Sequence, residues 1–354
     1  MAEHSTLEAI LGGTQVPHQP LLIITDSAVF SGLAVFKESL RRALRMRGPV
    51  VLVTALHKPS LLQQQPSPEF DSANLTTVDL TGEVPGLTLD ESGPSFSKRI
   101  LEASKPESQI FIDAIGVLAE DYSPLEAIRL ISSILTQAKS PGRLTLLLPY
   151  ASTILQTLIH PSFSPTLSLL TILNPRVVEF LSKSYLQPVS SSPPFWMILE
   201  RAKERRTPEQ LAYNGEEGVE VGDWTRSKSG AVVQVLVRKA TGGIKGISRT
   251  LASISAQNHT SNSSSREELV AGPVDSVVDI KPFAAPTSAS SLGRSARVDR
   301  PAQTPTEMNL PFNLSLTDEQ RRRRGQVPLP YAHEGEGADL MEYGDDEDED
   351  DEEI

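Results

Sequence analysis

Residues 21 to 47 hold an apolar strand, a short polar turn and an amphipathic helix in immediate succession. That order constrains the chain to a sheet whose strands are covered by helices. The strand is Leu21-Leu22-Ile23-Ile24, and the turn runs Thr25-Asp26-Ser27-Ala28-Val29-Phe30-Ser31-Gly32. After it, Leu33, Phe36, Leu40, Ala43 and Leu44 keep the 3.6-residue period of a helix. Nucleotide-binding domains open the same way, but there the connection reads G-x-x-x-x-G-K-S/T. Its backbone N–H groups cradle phosphates, and the lysine reaches the β- and γ-phosphates. Here the turn has one glycine and no lysine. The pattern therefore predicts the packing unit without the phosphate chemistry.

The rest of the first half repeats the alternation. Val50 to Leu56 is a continuous apolar run rich in β-branched residues, of the kind buried on both faces of a parallel sheet. Thr76 to Leu80 reads as a strand, Ser95 to Ala103 as a short helix, Gln109 to Ile115 as a buried strand and Leu144 to Pro149 as another. The Pro- and Gln-rich stretch from Pro59 to Pro68 reads as a surface loop. The clearest helix begins at Ser123 as N-cap, with Pro124 in first position and Glu126 placed to close a capping box. Its apolar face is Ala127, Ile128, Ile131, Ile134, Leu135 and Ala138, and Pro141-Gly142 ends it. Alternating strands and helices predict a doubly wound α/β sheet with right-handed crossovers. Leu167 to Leu173, Val177 to Leu181, Phe195 to Leu199 and Val232 to Val237 read as strands joined by turns, an antiparallel extension of that sheet. From about Gly242 to Met308 the sequence is rich in Ser, Ala, Pro and Thr and predicts disorder.

Charge divides the chain of 354 residues unevenly. Glu334 to Ile354 holds 13 acidic residues and no Lys or Arg, so the remainder carries about +1 against a whole-chain charge of −12. Cationic patches on the folded part can then face an anion. With no cysteine there is no disulfide framework and no thiolate-held metal. No run of about 18 apolar residues occurs, and the N-terminus lacks a basic and apolar leader, so a soluble, unexported chain is expected. The six histidines are scattered without metal-ligand spacing, and no G-x-S-x-G elbow is present. Asp113, ending an apolar strand, stands where a metal-holding aspartate of an ATPase would stand, or is a turn residue. Arg41, Arg42, Arg45 and Arg47 close the first helix. Arg201 to Arg206 alternate with Glu204 as a solvated face, and Arg226 to Arg249 flank the last strand. Arg321 to Arg324 form the densest run. Nuclear import, RNA contact and pairing with the acidic tail all remain open for these clusters.

The segment Leu310-Pro311-Phe312-Asn313-Leu314-Ser315-Leu316-Thr317-Asp318-Glu319-Gln320-Arg321, then Val327-Pro328-Leu329-Pro330-Tyr331 and the acidic end, resembles the fifth-subunit family of the Elongator complex in its fungal form. The resemblance implies a RecA-like domain over residues 1–245 without working Walker motifs. A disordered linker over 246–308, a partner-docking segment over 309–333 and an acidic disordered tail over 334–354 would follow. It further implies a non-catalytic subunit that forms a hexameric ring with the fourth and sixth subunits, contacts the remaining Elongator subunits, binds tRNA and supports wobble-uridine modification. No cofactor, metal or membrane is expected, and the cytoplasm and nucleus are the expected locations. Candidate RNA contacts are Arg41, Arg42, Arg45, Arg238, Lys239 and Lys245. Candidate docking anchors are Leu310, Phe312, Leu314, Leu316 and Tyr331. The alternatives are a degenerate RecA-like ATPase using Asp113 and a nuclear scaffold with an acidic interaction tail.

Overall fold

A computed structural model describes residues 3–278 except 28, 47, 64–73, 86–94, 216–223, 226–229, 241–245 and 262–263. Strands β1 (Leu21–Asp26), β2 (Val50–Thr54), β3 (Leu75–Asp79), β4 (Gln109–Ile112), β5 (Arg143–Pro149), β6 (Leu167–Leu173), β7 (Ala231–Arg238), β8 (Ile247–Ser261) and β9 (Ser264–Gly272) form one sheet. Its order is β3-β2-β4-β5-β1-β6-β7-β8-β9. Pairing is parallel from β3 through β6 and antiparallel from β6 through β9. This is the expected doubly wound α/β sheet with its antiparallel extension. The helices are α1 (Glu3–Leu11), α2 (Leu33–Arg45), α3 (Pro59–Leu62), α4 (Phe96–Ala103), α5 (Ile115–Asp121), α6 (Pro124–Gln137), α7 (Leu155–Ile159), α8 (Pro175–Tyr185), α9 (Pro193–Glu204) and α10 (Thr207–Tyr213).

Alternation along each strand splits the core in two. Leu22, Ile24, Val50 and Leu52 face α1 and α2 with Phe36 and Leu40, while Leu21, Ile23, Val51 and Val53 face α4 to α7 with Ile115 and Ile131. Both sets are buried, which is why these strands read as unbroken apolar runs. A third cluster joins α8 and α9 to Leu173, Val232 and Leu251.

Five expectations change, one being the loop from Pro59: Pro59–Leu62 is helix α3 and buries Leu62. Val177 to Leu181 and Phe195 to Leu199 lie in helices α8 and α9. Pro175 and Pro193 stand at helix starts, and the Asn174 side chain accepts the Arg176 N–H at 2.8 Å. Five-residue apolar windows do not separate helix from strand, and the caps decide. Leu167 to Leu173 pairs in parallel with β1, so the antiparallel extension begins only at β7. Residues 247–278, assigned to the disordered linker, instead form β8, β9 and a closing turn that buries Leu251, Ile254, Leu269 and Val278. Their Ser-rich composition hides strands that need apolar side chains at few positions. The capping box is half formed: Ser123 Oγ accepts from Leu125 N, but the Glu126 carboxylate accepts from Ser97 Oγ at 3.0 Å. Helix α1, which the sequence reading left out, buries Leu7, Ile10 and Leu11 against β8 and β9.

Candidate functional site

Open α/β sheets place ligands in the crevice beyond the carboxyl ends of their strands. In this chain that crevice, at the ends of β1, β2, β4 and β5, holds a cavity of about 340 Å³. Its polar lining includes Asp26, His57, Asp113 and Glu120, and its apolar walls include Leu56, Val117, Leu147 and Leu148. No lysine or arginine lines it among the described residues.

The turn from Asp26 to Gly32 directs its donors to the protein's own oxygens. Gly32 N donates to Asp26 Oδ2 at 3.1 Å, Phe30 N to Ser27 Oγ at 3.0 Å and Leu33 N to Ser31 Oγ at 3.1 Å. Trp224 seals the outside: its Nε1–H donates to Ser31 O at 2.9 Å and its ring stacks on Phe30 at 5.9 Å. A Cβ on Gly32 would come within 3.1 Å of Ile24 Cγ2 and 3.2 Å of Leu147 Cδ1, so glycine is needed for the helix start to approach the sheet. A helix N-terminus ordinarily attracts an anion. Here a carboxylate of the chain already holds the Gly32 N–H. Burial pushes the Asp26 carboxyl above its ordinary value, and the Gly32 N–H and nearby His57 offset part of that rise.

Asp113 ends β4 as expected, but as a fastener. Its Oδ1 accepts Ala55 N at 2.7 Å, and its Oδ2 accepts His57 N at 2.7 Å, Leu56 N at 3.3 Å and His57 Nδ1–H at 3.1 Å. These bonds pin the loop after β2 to the end of β4. Among the described residues no group of three or more acidic or histidine side chains is placed to hold a metal.

Most of the basic candidates have structural partners. Arg41 is 2% exposed and donates to Glu38 and to Glu268 at 2.7 Å, so it does not reach RNA from this position. Arg42 bonds Glu8, Glu38 and Leu269 O, and Arg45 pairs with Glu268 at 3.2 Å. Arg238 donates to Ile159 O at 2.7 Å and to Ser164 O, and burial lowers its pKa. Lys239 is half-buried. Lys245 and the anchors Leu310, Phe312, Leu314, Leu316 and Tyr331 lie outside the described residues. Exposed cations include Arg201, Arg205 and Arg206 at the end of α9, with Arg249 5.9 Å over the Trp196 ring on the same helix; Lys58, Lys98, Lys105, Arg129, Lys139, Arg176 and Lys183 are exposed elsewhere on the domain. The sequence reads Arg201 to Arg206 only as a solvated face, and Arg249 as part of the basic stretch that flanks the last strand.

A family model described as Elongator subunit Iki1 matches residues 7–344. The chain belongs to that family. The match spans the sheet and the Leu310 to Tyr331 segment alike. No curated protein matches this Iki1-family chain. Among solved structures, a KaiC-like protein from the hyperthermophilic archaeon Pyrococcus horikoshii is 13% identical with a TM-score of 0.36, over 72% of this chain and 91% of that one. No helix among the described residues is long and apolar enough to cross a membrane.

Proposed function

We propose that this Iki1-family chain is a non-catalytic assembly subunit of the Elongator complex. It joins the fourth and sixth subunits in a hexameric ring that binds tRNA and supports modification of the wobble uridine, in the cytoplasm and nucleus. The observation that carries the non-catalytic part is the Asp26 carboxylate on the Gly32 N–H, where a phosphate would have to sit. A phosphate entering there would meet Asp26, Asp113 and Glu120 with no lysine to offset them. Losing that chemistry leaves the flanks of the sheet intact for neighbours, so ring geometry survives it. Leu310, Phe312, Leu314, Leu316 and Tyr331 serve in this proposal as anchors to a partner, and Arg201, Arg205, Arg206 and Arg249 as the phosphate-facing cations. Titrating the purified chain with labelled ATP and Mg²⁺ tests it. Negligible binding is expected, and micromolar binding would support the degenerate ATPase instead.

A further inference from the structure

We propose that the crevice between β1, β2, β4 and β5 is a binding site for an alkylguanidinium or alkylammonium group. This goes beyond the assembly role and does not depend on it. Besides Asp113, two carboxylates line the cavity, those of Asp26 and the exposed Glu120, beside the His57 ring and the Ser152 side chain. Three donors of the turn, Phe30 N, Gly32 N and Leu33 N, are used inside it. Asp26 is half-buried and has no Lys or Arg partner among the described residues, and a carboxylate drawn out of water without a cation is costly. Arg41, Arg99 and Lys203, by contrast, each have a carboxylate of their own elsewhere in the fold.

Shape narrows the class. Val117, Leu147 and Leu148 contribute apolar lining, as does Leu56, which is 60% exposed. An alkyl stem can lie along these side chains while its charged head reaches Asp26 and His57, as lysine and arginine stems do on apolar surfaces. A planar guanidinium would gain charge-assisted hydrogen bonds to Asp26. The cavity lies at the lower end of the ~300 to 1,000 Å³ typical of small-ligand sites. A divalent metal fits poorly, since both oxygens of Asp113 are engaged.

The test uses the full-length chain with labelled methyl groups and three probes: agmatine, its neutral analogue butylurea, and a capped Gly-Arg-Gly peptide. Agmatine or the peptide should shift the Val117, Leu147 and Leu148 methyls saturably, and butylurea should not. Asp26→Asn with Glu120→Gln keeps an acceptor for Gly32 N–H and should weaken binding by about tenfold or more. Affinity should also fall as acid protonates Asp26. If the peptide binds more tightly than agmatine, the source is a protein side chain; the reverse order points to a free amine. Shifts from butylurea equal to those from agmatine, no shift with either cation, or full affinity in a double variant with an unchanged spectrum would each overturn the proposal.

Discussion

Asp26 and Asp113 line the same crevice with different partners. Asp113 accepts from four donors, whereas Asp26 takes the Gly32 N–H and burial raises its pKa, an effect that hydrogen bonds from Gly32, its own backbone and Ser31 offset only in part. The folded pKa of Asp26 lies above the ordinary 3.8, so the unfolded chain ionises first as pH rises. The folded state therefore loses stability from about pH 3.8 up to the raised value, and the loss persists at neutral pH. Asp26→Asn should raise the melting temperature at pH 7, with a smaller gain near pH 4. Melts at both pH values check this, and equal gains would remove burial as the cause. Arg41 behaves oppositely. Arg41→Ala leaves Glu38, 3% exposed, with less compensation and should cost about 3 kcal/mol in denaturant unfolding. The missing lysine was legible from sequence alone. The fate of Arg41 and Arg42 was not, because Glu8 and Glu268 are distant in the chain and only folding brings them to α2.

Long periodic elements were readable because both sides of β1 and β2 must be apolar to fill a two-faced core, and α6 must keep one continuous apolar face toward it. Elements with few large apolar side chains were harder. β8 buries Leu251, Ala252 and Ile254 among polar neighbours, and its pairing with β7 and β9 supplies what its composition lacks. The domain boundary at 245 was therefore too early. A chain ended after residue 245 loses β8 and β9, uncovers the β7 edge and exposes Val233 and Val235. It should be insoluble, or melt well below a chain ended after 280. Comparing soluble yield and melting temperature of the two checks the new boundary, and equal behaviour would restore the old one.

At the scale of the whole molecule, the acidic end sets the sign of the total charge while Arg201, Arg205, Arg206 and Arg249 remain exposed on the sheet domain. Charge reversal at Arg205 and Arg206 in the reconstituted assembly should weaken tRNA binding. Each lost phosphate contact should reduce the salt slope by about 0.7 to 0.9. Charge reversal at Arg41 would disturb folding instead. Phe312→Ala with Leu316→Ala should weaken co-purification with partners by about 2 kcal/mol or more, as truncated interface anchors do, and unchanged recovery would remove the docking role. The composition of this end was visible in the sequence, but its partners are not a property of one chain. The most direct measurement is the native mass of this chain co-expressed with the fourth and sixth Elongator subunits, recorded without nucleotide. A six-chain assembly containing this chain is predicted; a lone monomer beside an assembly of the other two would contradict it.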